Sequence, residues 1–190
     1  MHPIVLASAS PARRSLLGRL GLDFKIDPAD VDESATPGES AEALAHRLAQ
    51  DKAHCVAERQ PANTIIIGSD QVAVLKDQVL GKPGSRRKAI DQLTQSRGQT
   101  VVFYTAWCVL AGQREHHGMD ITKVRFRDLS DSEISAYVDF ETPFGCAGSF
   151  KAESRGIALF QSIQSTDPTG LIGLPLIGVC EALRASGVDI

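Results

Sequence analysis

The sequence predicts an α/β protein built on a mixed β-sheet. Short apolar segments typical of buried strands, at residues 3–7, 64–68 and 101–110, alternate with segments of helical spacing. Two hairpin arms, 72–75 and 78–80, are inserted among them. Alternating strands and helices favour parallel pairing, and hairpins add antiparallel pairing, so a mixed sheet follows.

Composition limits the possible functions. A chain of 190 residues with 43% hydrophobic residues fits one domain over 1–190, with a core that is large enough to be stable without disulfide bonds or a structural metal. A net charge of −3 argues against a nucleic-acid-coating or membrane-surface protein. The longest apolar run, 101–111, is far short of the ~20 residues that span a bilayer. Neither a signal peptide nor a CxxC pair is present, so we expect a cytoplasmic protein with scattered free thiols.

The N-terminal strand leads into a helix that begins with two cations. Ser10 is a suitable N-cap and Pro11 takes the first helical position. Arg13 and Arg14 follow in the first turn, where the helix dipole and unpaired amides already favour an anion. The pattern predicts a pocket for phosphate. For an isolated junction, arginines that both face solvent are the commoner arrangement.

The next segments supply an acidic loop and a long helix. Gly21 ends the first helix, and residues 24–27 predict a second strand. Residues 28–39 are acidic and rich in turn formers, so Glu33 is either a solvated loop acid or a second site carboxylate. A helix over 40–58 carries an apolar stripe that includes Lys52. This lysine either snorkels at the core edge or enters a polar cavity.

Asp70 is the strongest catalytic candidate. It lies just past the apolar strand 64–68, and ligands of α/β sheets usually bind at strand ends. A carboxylate there can bind a divalent cation or orient a water for attack on phosphorus. The alternative is an aspartate that caps a turn.

The remaining chain adds one more candidate cation and the later elements. Lys82 lies in the turn 81–84, where it is either an ordinary exposed lysine or a ligand contact. We predict helices at 85–96 and 174–185 and strands at 101–110, 121–126 and 156–160. Ser130 to Glu133 forms a capping box for another helix, and His116-His117 is predicted to lie in a hairpin turn.

Together these charged residues predict a polyphosphate site. The chain has no GxxxxGK[ST] or GxGxxG motif, so neither a P-loop nor a dinucleotide fold is supported. It also lacks GxSxG and HExxH motifs. The candidate members are Arg13, Arg14, Lys52, Asp70 and Lys82.

Over nearly its full length the chain resembles the Maf family of nucleotide pyrophosphatases. The motifs that carry the resemblance are Leu6-Ala7-Ser8-x-Ser10-Pro11 with Arg13-Arg14, Glu33, Ala49-Gln50-Asp51-Lys52-Ala53, Ile67-Gly68-Ser69-Asp70-Gln71, Gly81-Lys82-Pro83, Cys146-Ala147-Gly148-Ser149-Phe150-Lys151-x-Glu153 and Gly173-Leu174-Pro175. The resemblance implies an elongated, mixed, twisted sheet flanked by helices, with two lobes and a cleft, as in inosine triphosphatases.

The resemblance also implies a reaction. Family members hydrolyse nucleoside triphosphates to the monophosphate and diphosphate with a divalent metal, magnesium or manganese, and a homodimer is expected. Asp70 matches the proton acceptor, and cations can neutralise the leaving diphosphate. The other positions that match the family's site are Ser8, Arg13, Glu33, Lys52 and Lys82.

Three further positions bear on which nucleotide is used. Gln71 and Glu153 resemble the branch that acts on 7-methyl-GTP, whereas the thymidine and uridine triphosphate branch has arginine, threonine and glutamine at positions 12, 71 and 153. A carboxylate can accept from two adjacent N–H groups of guanine, and N7 methylation adds a positive charge to the base. Ala12 departs from the tryptophan that others in the branch carry, so Phe150 is a candidate stacking partner. Glu153 is otherwise a surface acid beside Lys151.

The favoured interpretation is therefore a pyrophosphatase that clears 7-methyl-GTP. A pyrophosphatase of the same family for dTTP and UTP is one alternative. A non-catalytic nucleotide-binding regulator of cell division is another. In each case the partner is a nucleotide, not a nucleic-acid polymer or a membrane.

Overall fold

The computed structural model describes residues 2–190, within which seven strands form one mixed sheet accompanied by five α-helices. The strands are β1 (Ile4–Leu6), β2 (Lys25–Ile26), β3 (Ile65–Leu75), β4 (Gln78–Leu80), β5 (Thr100–Ala111), β6 (Arg114–Phe126) and β7 (Phe160–Gln164). The helices are α1 (Pro11–Gly18), α2 (Ala41–Ala57), α3 (Arg86–Ser96), α4 (Asp131–Glu141) and α5 (Leu176–Ala185). Three 3-10 helices cover Ala147–Ser149, Arg155–Leu159 and Gly170–Ile172.

The sheet combines parallel and antiparallel pairs, which confirms the predicted fold class. Its strand order is β2-β1-β3-β5-β6-β7, with β4 paired to β3. β1 runs parallel to β2 and to β3, with Leu6 opposite Ile67. β4 is antiparallel to β3, and β7 is antiparallel to β6.

Serine N-caps fix the starts of four helices. In each case the serine side chain accepts a hydrogen bond from the amide three residues later, as expected of an N-cap. The capping box predicted at Ser130 is confirmed, since the Glu133 side chain also accepts from the Ser130 amide. The four caps are Ser10, Ser40, Ser85 and Ser130.

The prediction that a strand ends at Gly68 is wrong. β3 continues without interruption from Ile65 to Leu75. Its polar residues suggested a loop, but their side chains have partners on the neighbouring strand β5 or, for Asp70, on α2. The Ser69 hydroxyl, for example, lies 2.8 Å from the carbonyl oxygen of Ala106 on β5. Asp70 therefore lies within a strand and does not cap a turn.

Two other predicted elements are also displaced. β6 begins at Arg114, so His116 and His117 lie in a strand, and the hairpin turn forms at Gly112, whose φ is 62°. The strand predicted at 156–160 is instead the 3-10 helix Arg155–Leu159. Gly156 packs so tightly against the Lys151 backbone that a Cβ atom would overlap it, which suits a turn better than an extended strand.

The chain divides into two compact units. The first comprises the chain up to Gln71 together with Thr105–Asp120 and Asp167–Ile190, and the second comprises Val72–Tyr104 and Ile121–Thr166. The prediction of one domain over 1–190 stays a prediction. The core of the first unit contains Ile4, Leu6, Leu16, Leu17, Ile65, Ile67, Val109, Leu174, Leu176, Val179, Ala182 and Leu183.

An aromatic cluster fills the core of the second unit. Four phenylalanine rings meet edge to face, with centroids between 4.8 and 5.7 Å apart. The cluster consists of Phe103, Phe126, Phe150 and Phe160. Phe150 is thus a core residue, only 5% exposed, which contradicts its suggested role as a stacking surface for a base.

The cysteines are free thiols, and three of them have little nucleophilic character. Burial raises the pKa of Cys108 to about 12, with the nearby Glu115 adding to the shift. Burial also raises the pKa values of Cys146 and Cys180. Because the thiolate is the reactive form, these three groups are poor nucleophiles at neutral pH. Separately, none of the helices in residues 2–190 has the length and apolar character needed to cross a membrane.

Candidate active site

Lys52 joins two carboxylates in the first unit. Its Nζ lies 2.5 Å from Asp70 Oδ1 and 2.6 Å from Glu33 Oε1. Lys52 and Asp70 are 7% and 8% exposed, whereas the Glu33 side chain is half-exposed. Lys52 therefore does not snorkel to solvent at the core edge but is directed to charged partners. The chain thus brings its two best candidate carboxylates to a single ammonium group.

Close packing of α2 on β3 creates this contact. A Cβ atom on Gly68 would overlap the carbonyl oxygen of Ala49 and lie 2.9 Å from the Ala53 amide nitrogen. Glycine therefore lets the helix approach the strand. Because side chains alternate along a strand, Asp70 lies on the same face as Gly68, the face that α2 covers. Lys52, one helical position before Ala53, reaches it there.

Arg13 is the inward-facing member of the arginine pair. Its Nε donates to the Gly173 carbonyl over 2.8 Å, and its Nη1 lies 3.3 Å from Ser8 Oγ. Burial lowers the pKa of Arg13, and the negative charges of Asp70 and Glu33 oppose that shift. Arg13 and Lys52 thus offset two carboxylates in one charged cluster.

The neighbours of Arg13 are arranged differently. Arg14 is exposed, so the alternative of a solvent-facing arginine holds for that residue but not for Arg13. Ala12 is partly buried in the first turn of α1. Ser8 also accepts from the Ser10 amide, over 3.2 Å, which orders the backbone just before the helix. The Ser10 cap and the position of Pro11 are as predicted, but only one of the two arginines is directed inwards.

The Gln71 carboxamide occupies the other face of β3. Its Nε2 lies 2.9 Å from Thr105 Oγ1 and 3.1 Å from the carbonyl oxygens of both Gly170 and Leu171. Thr105 belongs to β5, and the two carbonyls belong to the 3-10 helix Gly170–Ile172. These contacts tie Gln71 to two separate parts of the first unit.

Lys82 and Glu153 lie in the second unit. Lys82 is exposed between β4 and α3, and Glu153 is exposed in a turn. Their charges both act on the Cys146 thiol, whose pKa burial and Glu153 raise and Lys82 lowers. Lys151 is directed to Glu141: its Nζ donates to the Glu141 carbonyl over 2.7 Å. Glu153 is therefore an exposed acid, as in the alternative interpretation of the sequence, and its sequence neighbour Lys151 is directed to Glu141.

Sequence reasoning missed the groups that hold these side chains in place. Thr105 is fully buried in an apolar strand, where threonine is an ordinary strand residue and gives no signal. The Gly173 carbonyl accepts from both Arg13 Nε and Ser69 Oγ, at 2.8 and 2.9 Å. A backbone carbonyl has no side-chain signature, so only the structure reveals it.

Comparison with solved structures supports the fold class. The Ham1 protein of Staphylococcus aureus aligns with a TM-score of 0.52 over 96% of both chains, at 15% sequence identity. At that identity the likeness concerns the fold alone. This chain thus has the α/β architecture of that protein, with a charged cluster that joins α1, α2 and β3.

Sequence comparison defines the family. A family model described as Maf-like protein matches residues 3–186, so the chain belongs to the Maf family. A 7-methyl-GTP pyrophosphatase of Xanthomonas axonopodis pv. citri is 51% identical over the whole of both chains. Another, from Albidiferax ferrireducens, is 49% identical over 98% of this chain and 94% of its own.

Proposed function

We propose that this chain is a nucleoside triphosphate pyrophosphatase that hydrolyses 7-methyl-GTP to 7-methyl-GMP and diphosphate. The observation that carries the reaction is the contact of the buried Lys52 with both Asp70 and Glu33, next to Arg13. The observation that carries the substrate is about half identity, over full length, to proteins named 7-methyl-GTP pyrophosphatase.

Asp70 is the proposed general base. A water attacks the α-phosphorus, the bond from that phosphorus to the bridging oxygen breaks, and Asp70 takes the proton of the water. The bond to Lys52 keeps the Asp70 carboxylate in one orientation before substrate arrives. Positioning of this kind matters because phosphoryl transfer depends mainly on alignment and charge stabilisation.

Cations are proposed to stabilise the leaving diphosphate. Arg13 has a planar fork suited to phosphate oxygens, and its Nε is already fixed by Gly173. Lys52 supplies a second positive charge from α2, and Lys82 is proposed as a third. Charge that builds on the departing oxygens is thereby met by fixed groups, which is the most effective form of transition-state stabilisation.

Glu33 and Asp70 are the residues that would hold a divalent cation. Both carboxylates contact Lys52 Nζ and so lie close together, and a divalent cation held by them would bind beside that ammonium group. Two carboxylates with substrate phosphates form a usual ligand set for Mg²⁺, and their hard oxygens also suit Mn²⁺. When bound, the cation supplies charge stabilisation on the phosphate oxygens. The residues therefore fit magnesium or manganese.

Base selection is assigned to Gln71, Glu153 and Ala12. The Glu153 carboxylate accepts from the N1–H and N2–H groups of guanine and attracts the cationic methylated ring. A pyrimidine edge offers a carboxylate a single donor between two acceptors. With Phe150 in the core, the proposal includes no stacking by that ring. Because the side chain of Ala12 is small, it would cover less of the base than the tryptophan that others in the branch carry.

The proposal extends to the cellular setting. We place the enzyme in the cytoplasm as a homodimer that clears modified nucleotides. This setting follows from the family resemblance and is tested separately from the chemistry. Light scattering of the purified protein should give the mass of a dimer, and a monomer would refute that part.

A nucleotide panel tests the proposed substrate. We would measure diphosphate release from 7-methyl-GTP, GTP, dTTP and UTP with Mg²⁺ or Mn²⁺, with Glu153→Gln as the matched variant. The proposal is supported if the unsubstituted protein prefers 7-methyl-GTP and this preference is smaller in Glu153→Gln. Preference for dTTP or UTP would favour the pyrimidine enzyme. Saturable binding without diphosphate release would favour the non-catalytic regulator.

A further inference from the structure

The Gln71 carboxamide is held in one orientation. Its nitrogen has two hydrogens and faces three acceptors within 3.1 Å, on Thr105, Gly170 and Leu171. Two of these are carbonyl oxygens, which never donate. If the amide rotated by half a turn, the Gln71 oxygen would face both carbonyls and lose their hydrogen bonds. The contacts therefore allow only the orientation in which the amide nitrogen faces Thr105, Gly170 and Leu171.

The segment that supplies the two carbonyls, the 3-10 helix Gly170–Ile172 and the loop before it, is itself held in place. Asp167 Oδ1 accepts from the Thr169 amide over 2.8 Å, and Asp167 Oδ2 accepts from the Ile177 amide over 2.7 Å. A Cβ atom on Gly170 would overlap the carboxylate of the buried Asp120, with its Cγ at 2.8 Å. Gly170 and Leu171 thus have little freedom to move away from Gln71.

Thr105 is the side chain that completes this arrangement. It is fully buried on β5, the neighbour of β3 in the sheet, and its Oγ1 makes the shortest of the three contacts to Gln71 Nε2. The two ends of a carboxamide point apart, so the Gln71 oxygen is directed away from Thr105 and the loop. Gln71 is partly exposed and presents that oxygen as an acceptor.

We propose that Thr105 is a positioning residue for base selectivity, because its Oγ1 adds a third acceptor to the two carbonyls that hold Gln71 with its carbonyl oxygen directed away from them. A freely rotating carboxamide can offer either a donor or an acceptor, and so tolerates many base edges. A fixed acceptor favours bases with several N–H donors, such as guanine, over pyrimidines with one. The inference rests on the proposed function in that the ligand of Gln71 is a nucleotide base.

Substitution of Thr105 tests the inference. Thr105→Val keeps the shape and removes the acceptor, whereas Thr105→Ser keeps the hydroxyl and serves as the matched control. We would compare kcat/KM for 7-methyl-GTP and for dTTP. Thr105→Val should lower the kcat/KM for 7-methyl-GTP relative to that for dTTP by about tenfold, the effect of one hydrogen bond. The loss should appear as a higher KM for 7-methyl-GTP at nearly unchanged kcat, with Thr105→Ser close to the parent.

Two kinetic outcomes would overturn the inference. One is an unchanged ratio in Thr105→Val. The other is equal damage in Thr105→Ser and Thr105→Val, which would assign the effect to packing of the Thr105 methyl group. A uniform loss of kcat on every nucleotide in both variants is a case of the second outcome and would give Thr105 only a structural role.

Side-chain amide exchange tests the same inference without catalysis. In ligand-free protein, NMR should show slow hydrogen exchange of the Gln71 carboxamide and fast exchange for Gln78, which is exposed on β4. Thr105→Val should speed exchange at Gln71 alone. Equal exchange at Gln71 and Gln78 in the unsubstituted protein would refute the fixed amide. If no nucleotide is hydrolysed, the proposed function fails while slow exchange still supports the fixed amide.

Discussion

Lys52 reaches from α2 to β3 and places its Nζ 2.5 Å from Asp70 Oδ1. Both side chains are about nine-tenths buried, at 9% and 11% exposed, so water screens the pair only weakly. The same ammonium group also contacts Glu33. The proposed base is therefore one partner of a buried ion pair. The effects of substituting the two partners on the free energy of unfolding should not be additive.

A double-mutant cycle should show this coupling. Lys52→Met leaves two carboxylates without their cation and should lower the free energy of unfolding by about 3 kcal/mol. Asp70→Asn leaves Lys52 paired with Glu33 and should cost about 1 kcal/mol. The double variant should lose less than the sum of these, as measured by urea denaturation. Lys88→Met, at an exposed lysine on α3, is the control. Effects that add within about 0.5 kcal/mol would contradict the coupling.

Gly68→Ala should damage both stability and activity. The added methyl would push α2 away from β3 at the level of Ala49 and move Lys52 relative to Asp70. We expect a loss of about 1–3 kcal/mol in unfolding free energy, with a lower kcat. Gly18→Ala is the matched control, since a Cβ atom at Gly18 meets no neighbour within 4 Å. Equal effects of the two substitutions would refute the close approach at Gly68.

The two arginines of α1 should respond differently to the same substitution. Arg13→Lys loses the bonds to Gly173 and Ser8 and the planar fork, so KM for the nucleotide should rise about tenfold. Arg14→Lys changes an exposed residue and should leave KM within about twofold of the parent. Steady-state kinetics on purified variants measures both. Similar rises in KM would place both arginines in the substrate site.

Acid should weaken the start of α4. Bonds from the Ser130 amide and hydroxyl and from Arg127 lower the pKa of Glu133 from its ordinary value of 4.5 to about 2. The group therefore stabilises the fold above pH 4.5, and this contribution is lost as pH falls towards 2. Glu133→Gln should be less stable than the parent at pH 7, with a difference that shrinks over this window. A difference independent of pH would contradict the assignment, and Glu181→Gln, at an exposed residue of α5, is the control.

Local signals were sufficient to predict most elements. Serine caps mark helix starts through a bond to an amide three residues on, so Ser10 and Ser130 could be identified from the sequence alone. The apolar stripe of α2 placed Lys52 on the buried face, as observed. These features depend on interactions between residues that are close in the sequence, and so they can be predicted from it.

Features that depend on distant partners were not predictable. The continuity of β3 through Asp70 depends on bonds from Ser69 to Ala106 and Gly173, 37 and 104 residues away. The orientation of Gln71 likewise depends on Thr105 and on two backbone carbonyls about 100 residues on. No local pattern encodes such pairings. The candidate residues could be named from the sequence, but the groups that orient them could not.

Product analysis tests the central claim most directly. Purified protein and an Asp70→Asn variant would be incubated with 7-methyl-GTP and Mg²⁺ in water enriched in oxygen-18, and the products separated and weighed by mass spectrometry. We predict 7-methyl-GMP that carries the label, unlabelled diphosphate, and at least about a hundredfold loss of rate in Asp70→Asn. Formation of 7-methyl-GDP with phosphate, or an undiminished rate in Asp70→Asn, would contradict the account.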